Sequence, residues 1–152
     1  MKSRFITGAV DMKKLWKKLW PGKSAATCST ILSSSLERNL RILKEDVFRD
    51  DDTIIYREFA TEQPRPRRCV LVSADGMTDH VFLSDYVIQA VMYTPIPPRL
   101  VGEELVDFLI KTVIVGDEVK ADQYISGIVD AILDGDGVLL VEGCAQGIII
   151  NS

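Results

Sequence analysis

The apolar residues near the start of the chain form one helical stripe. They recur at spacings of three and four residues, the period of a single α-helix face: Met12, Leu15, Trp16, Leu19 and Trp20. Four lysines occupy the opposite face: Lys13, Lys14, Lys17 and Lys18. Pro21-Gly22 ends the pattern. The pattern predicts a basic amphipathic helix within an N-terminal arm, residues 1–30, whose later part is a Ser/Ala/Thr-rich spacer.

Residues 31–94 are predicted to form a first α/β lobe. Ser34 and Glu37 have the spacing of a capping box, and the stripe that follows predicts a helix over 35–48. β-branched and apolar runs predict strands over 53–60 and 69–73. A third pattern predicts a helix over 79–93, in which Ser84 is a candidate cap for a second segment.

The proline-rich segment 94–98 cannot continue a helix, so residues 95–98 are predicted to be a stiff linker. Residues 99–152 are predicted to form a second α/β lobe. It begins with a helix around Leu105 and Leu109, and a second helix runs from Ile125 to Ile132. Asp122 is the predicted cap of that second helix and Gly135 its end, and strands are predicted over 138–141 and 147–150.

The fold expected from these elements is α/β, with two small lobes of helices packed on short mixed or antiparallel sheets. The linker joins the lobes. Asn151-Ser152 directly follows an apolar strand, and we expect the natural chain to continue beyond it.

Charge divides the chain into a basic arm and an acidic remainder. The formal net charge is −4, yet residues 1–24 hold seven Lys/Arg and one Asp. The acidic remainder argues against broad binding of nucleic acid. Tryptophan and lysine on opposite faces of the arm favour contact with an anionic membrane surface. The alternative is that the apolar stripe docks on the rest of the chain or on a partner.

Three short motifs resemble ligand loops but lack required residues. Gly22-Lys23-Ser24 resembles the end of a phosphate-binding loop, whose first glycine is replaced here by Lys17. The acidic runs 50–52 and 134–137 lack the ligand spacing of a calcium loop. We therefore expect no cofactor and no metal.

Nucleophiles and titratable groups do not form a catalytic pattern either. His80 is the only histidine. Cys28, Cys69 and Cys144 are too widely spaced for a zinc site or a disulfide framework. No apolar run approaches the roughly 18 residues of a membrane-spanning helix. The sequence predicts a soluble chain that is not an enzyme.

A small polar ligand is the second functional hypothesis. Arg57, Glu58 and Asp75 are candidate ligand-binding residues, together with the linker at 94–98. A cleft between two lobes is a common place for such a site.

Several segments, taken in order, resemble one protein family. They are 36–44 (LERNLRILK), 55–59 (IYREF), 69–79 with Gly76, 132–136 (ILDGD) and 138–143. Over residues 32–150 the chain resembles the GerA family of spore germination proteins. The resemblance implies the N-terminal domain of a nutrient germinant receptor A subunit, located at the cytosolic or spore-core face of the spore inner membrane and followed by a multi-helix membrane domain.

The resemblance also implies a role and partners. It implies receptor assembly or signal relay, with other receptor subunits and the membrane surface as partners, and it supplies no catalytic residues. The alternative remains a module that binds a small nutrient molecule between its lobes.

Overall fold

One antiparallel sheet joins strands from both halves of the chain. The computed structural model describes residues 30–62, 65–76, 82–114 and 118–151. The strands are β1 (Ile54–Ala60), β2 (Arg68–Ala74), β3 (Val119–Asp122), β4 (Gly137–Val141) and β5 (Gly147–Ile150). Their order across the sheet is β1-β2-β4-β5-β3, and every neighbouring pair is antiparallel.

The described residues also form four helices, three of which combine an α-helical and a π-helical part. The helices are α1 (Leu36–Arg41, then π-helical Ile42–Val47), α2 (π-helical Leu83–Ile88, then Gln89–Tyr93), α3 (Gly102–Phe108, then π-helical Leu109–Val113) and α4 (Ile125–Leu133). The wide turns end in hydrogen bonds such as that from the Phe48 N–H to the Leu43 carbonyl, at 2.8 Å. The apolar spacing predicts the helices but not these wide turns.

Helices cover both faces of the sheet. α1 and α4 pack on one face, here called the α1/α4 face, and α2 and α3 pack on the other, the α2/α3 face. Successive residues of a strand point to opposite faces. In β2, Val70 and Val72 therefore join the first core while Cys69 and Leu71 join the second. The result is three layers with a core on each side of the sheet.

The predicted α/β class is confirmed, and of the two expected pairings, mixed or antiparallel, the strands adopt the antiparallel one. The chain forms one sheet where two smaller ones were expected. β2 pairs with β4, from Cys69 opposite Val141 to Val72 opposite Val138. The physical reason is that β2 is apolar on both faces and becomes fully buried only with a strand on each side. The segment 94–98 connects two helices on the same face, and Ile96 within it is buried.

Two of the three predicted helix caps, Ser34 and Asp122, are wrong by one or two residues. The N-cap of α1 is Ser35, whose Oγ accepts the Arg38 N–H at 3.2 Å. The Ser34 carbonyl instead accepts a hydrogen bond from the Gly143 N–H, at 2.9 Å. The predicted cap Asp122 lies in β3, a strand that the sequence did not predict, and its carboxylate accepts the Tyr124 N–H at 2.8 Å.

The predicted end of α4 is confirmed. Gly135 has φ +95°, and its N–H donates to the Ile132 carbonyl at 3.1 Å. The next N–H, of Asp136, donates to the Ala131 carbonyl at 2.9 Å. This pair of bonds is a Schellman motif, which satisfies the last carbonyls of a helix.

Parts of the sequence interpretation lie outside the described residues. These are the arm with its predicted helix from Met12 to Trp20, Cys28 and His80, while Ser84 is described without its side chain. Within the described ranges, every helix is too short or too polar to cross a membrane.

Candidate functional site

The three candidate ligand-binding residues lie at the β1 edge of the sheet, and their side chains do not converge. Tyr56 packs with the α1/α4 core and Phe59 with the α2/α3 core, so Glu58 and Arg57 project from opposite faces of β1. Glu58 Oε1 accepts from Arg68 Nη2 at 3.4 Å. Asp75 lies exposed in the turn after β2. A ligand contact by any of the three stays a prediction.

Arg67 fastens the loop before β2 to the proline-rich segment. Its Nη1 donates to the Leu100 carbonyl at 2.6 Å, and its Nη2 donates to the carbonyls of Pro97 and Pro98 at 3.3 Å each. Its backbone N–H donates to Oγ1 of the buried Thr61 at 3.0 Å. The guanidinium therefore occupies the space beside the segment where a ligand cleft was predicted.

Cys69 and Cys144 are buried free thiols close to this loop. The Cys69 Sγ contacts the Arg67 carbonyl and the Cys144 Sγ contacts the Gly102 carbonyl, each at 3.6 Å. Burial raises the pKa of Cys69 to about 12 and that of Cys144 to about 11. Both groups stay protonated near neutral pH, and a protonated thiol is a poor nucleophile.

At pH 8 we expect these two thiols to react with a thiol reagent about tenfold or more slowly in the native protein than in the unfolded chain. The unfolded thiols have pKa values near 8.5. Above that pH the unfolded state loses protons that the native state keeps, so the free energy of unfolding should fall as pH rises. Timed thiol titration with and without denaturant tests this. Fast reaction of all three cysteines in the native protein would contradict it.

The start of α1 is held by residues distant in sequence. Glu142 Oε2 accepts the Leu36 N–H at 3.0 Å, and the Glu142 N–H donates to the Arg68 carbonyl at 2.9 Å. A carboxylate at a helix N-terminus satisfies a free N–H group and interacts favourably with the helix dipole. Glu142 lies between the predicted strands 138–141 and 147–150, and nothing local in the sequence indicates a partner 106 residues away.

Asn39 fixes the segment that leads into α1. Its side chain is only 1% exposed. Oδ1 accepts the Ser33 N–H and Nδ2 donates to the Ser33 carbonyl, each at 2.8 Å. One buried amide thus satisfies both backbone groups of Ser33, and the segment that leads into the helix is held in a single conformation.

The outer side of α2 exposes aromatic side chains. Tyr86 is 59% exposed and Tyr93 is 57% exposed. The ring of Phe82, immediately before α2, lies 5.5 Å from that of Tyr86 between centroids. Val101, just before α3, is also exposed. Tyrosine is enriched in protein interfaces, so this aromatic face of α2 is a candidate contact surface.

A second surface is a groove between α3 and β3, with a volume of about 420 Å³. Carboxylates line its rim and apolar side chains its floor. The rim is Glu103, Glu104 and Asp107, the floor is Val106, Ile110 and Ala121, and Gln146 lines it from the loop before β5. Asp107 pairs with Lys111 at 3.0 Å. We call this surface the acidic groove.

The described ranges contain no group of three or more His, Cys, Asp or Glu side chains arranged to hold a metal ion. The surfaces above offer exposed aromatic side chains and carboxylates, which suit contact with protein.

Comparison with known proteins gives a match to a family model and similarity to solved structures. The family model described as Bacillus/Clostridium GerA spore germination protein matches residues 41–152. A solved structure, the N-terminal domain of the A subunit of the Bacillus megaterium spore germinant receptor GerK3, is similar with a TM-score of 0.61 and 12% identity, over 80% of this chain and 94% of that chain. No curated protein sequence matches. The second similarity is one of fold.

Proposed function

Because the chain belongs to the Bacillus/Clostridium GerA spore germination protein family, we propose that it is the N-terminal domain of a germinant receptor A subunit and acts in receptor assembly or signal relay without catalysing a reaction. The fold shared with the GerK3 A-subunit domain supports the subunit assignment. The raised pKa values of the buried Cys69 and Cys144 thiols, at about 12 and 11, support a non-catalytic role.

The observation that carries the assembly role is the aromatic face of α2. Two tyrosines, each more than half exposed on one short helix, are a large apolar area to leave in water. Another receptor subunit is the partner that would cover it. The Arg67 contacts favour this role over a nutrient-binding module, because they fill the space beside the proline-rich segment.

The proposed location is the cytosolic face of the spore inner membrane. Its support is the family and the basic amphipathic arm predicted from the sequence. A further membrane part of the receptor would follow residue 152, and the arm would add a second contact with the same membrane.

Replacing both tyrosines, as Tyr86→Ser with Tyr93→Ser, is expected to weaken association with the other receptor subunits. Loss of an interface hot spot of about 2 kcal/mol corresponds to about a 30-fold weaker association. Because both side chains are exposed, the unfolding midpoint of the domain should change little. The measurement is co-purification of the other subunits with the full-length protein from spore membranes.

The matched control is Ile31→Ser with Tyr124→Ser, two exposed apolar residues paired elsewhere on the surface. Its co-purification should equal that of the native protein. Equal recovery of the subunits with the α2 variant would refute the assembly surface.

A further inference from the structure

We propose that the acidic groove is the docking site for this chain's own N-terminal arm, which inserts the apolar stripe Met12–Trp20 between α3 and β3. The groove and the arm are complementary in length, chemistry and position along the chain.

The lengths match. Glu103, Asp107 and Ile110 follow one side of α3 at intervals of four and three residues, a distance of about 10 Å at 1.5 Å per residue. The predicted stripe from Met12 to Trp20 extends about 12 Å on the same scale. The groove therefore follows α3 for about two helical turns, the length of the stripe, and the apolar floor of Val106, Ile110 and Ala121 lies within that length.

The charges are opposite. The groove rim carries three carboxylates, of which only Asp107 has an ion pair among the contacts described above, with Lys111. The arm carries four lysines beside its apolar stripe. Exposed ion pairs are individually weak. In this proposal the ion pairs determine which surface the apolar stripe binds. Burial of the two tryptophans supplies the larger part of the binding free energy.

The chain also enters the described structure next to the groove. The Leu32 N–H donates to the Gln123 carbonyl at 2.8 Å. Gln123 lies two residues beyond Ala121 in the groove floor, about 7 Å along an extended chain. Residues 21–29 can span up to about 30 Å. Such a short tether gives the arm an effective concentration at the groove in the millimolar range. The docked state is therefore populated even when the intrinsic affinity is weak.

Docking in the groove and insertion into a membrane require the same apolar stripe. The arm can occupy only one of the two at a time. We therefore expect the arm to occupy the groove when no membrane is present. An anionic membrane surface competes with the groove for the arm.

Both tryptophans of the chain lie in the arm, so tryptophan fluorescence reports on the arm alone. In the full chain without lipid, emission should be that of buried rings and resist quenching by acrylamide. Glu103→Lys with Glu104→Lys should weaken docking about tenfold, since two attractions become repulsions. The tryptophans should then be readily quenched.

The matched control is Glu37→Lys with Asp46→Lys, the same change of charge on α1 at the opposite face of the sheet. Quenching should be that of the native chain. Glu103 and Glu104 both lie in the first turn of α3, and Glu37 lies in the first turn of α1, so the control reproduces part of any loss of helix stability. Circular dichroism of both variants should match that of the native protein.

A charge exchange gives a second test. Changing all four arm lysines to Glu should expose the tryptophans, and adding Glu103→Lys with Glu104→Lys should restore protection. The control pair on α1 should not restore it. Anionic vesicles should bind the groove variant severalfold more tightly than the equally charged control, because the arm no longer has to leave the groove.

The proposal fails if the tryptophans of the native chain are fully accessible without lipid, or if the groove variant quenches like its control. It also fails if protection grows with protein concentration, which would place the arm on a second copy. Equal vesicle affinity of the two variants would refute the competition.

Discussion

Asn39→Asp is expected to destabilise the domain by about 3–5 kcal/mol at pH 8, the usual cost of an uncompensated buried charge. In the native protein the Asn39 side chain makes two hydrogen bonds to Ser33, each at 2.8 Å. The substitution keeps the oxygen that accepts the Ser33 N–H. It replaces the nitrogen that donates to the Ser33 carbonyl by a second oxygen. At 1% exposure, water cannot compensate the new repulsion.

The same variant should recover stability in acid. A protonated carboxyl can donate to the Ser33 carbonyl, so the native state holds its proton to a higher pH than the unfolded chain, where the pKa is about 3.9. A group with a raised native pKa stabilises below its unfolded pKa and loses that contribution as pH rises through the native one. The loss should therefore appear between about pH 4 and pH 8.

Asn39→Leu is the matched control, because it removes both hydrogen bonds without adding a charge. Its cost should be about 2–4 kcal/mol, from two unsatisfied backbone groups, and should not depend on pH in this range. Urea unfolding of both variants at pH 4 and pH 8 measures the difference. A cost for Asn39→Asp that does not change with pH would show that the amide donor is not needed.

Gly135→Val is expected to lower the free energy of unfolding by more than about 2 kcal/mol. The residue adopts φ +95°, where an L side chain costs about 1–2 kcal/mol and a β-branched one more. With a urea m-value of about 2 kcal/mol/M, the midpoint should fall by about 1 M. The strain acts between α4 and β4, in the middle of the sheet, so one cooperative transition should shift.

A series at this position separates backbone strain from side-chain size. Asn tolerates positive φ better than other residues that carry a side chain. The order of stability should therefore be Gly, Asn, Ala and Val. Equal midpoints for Ala and Gly would show that the Schellman geometry at residue 135 contributes nothing to stability.

The sequence predicted most of the local structure because most elements have a pattern of their own. The stripe of α1, the β-branched run of β1 and the glycine after α4 are complete signals within a few residues. β3 was missed because Val119-Lys120-Ala121-Asp122 has only two small apolar side chains and gains its strand character from pairing with β5. The single sheet was missed for the same reason, since the pairing of β2 with β4 has no local signal.

The candidate surfaces depend even more on tertiary structure. Arg57 and Glu58 are adjacent in sequence, and the alternation of a strand is what separates them. Arg65, Arg67 and Arg68 all lie between the predicted strands 53–60 and 69–73, and the sequence does not indicate which of them reaches the carbonyls of the proline-rich segment. The acidic groove combines residues from α3, β3 and the loop before β5. In contrast, the amphipathic arm is a prediction from the sequence alone.

The central position of β2 has a consequence during protein synthesis. Every residue of this strand after Arg68 is buried in the finished fold, yet β4, which covers its second edge, emerges from the ribosome about 60 residues later. At 5–20 residues per second the delay is about 3–12 s. Throughout that interval the nascent chain presents an apolar strand with an unpaired edge, which is a template for aggregation. We therefore expect residues 69–74 to be an accessible apolar segment for chaperones that bind nascent chains.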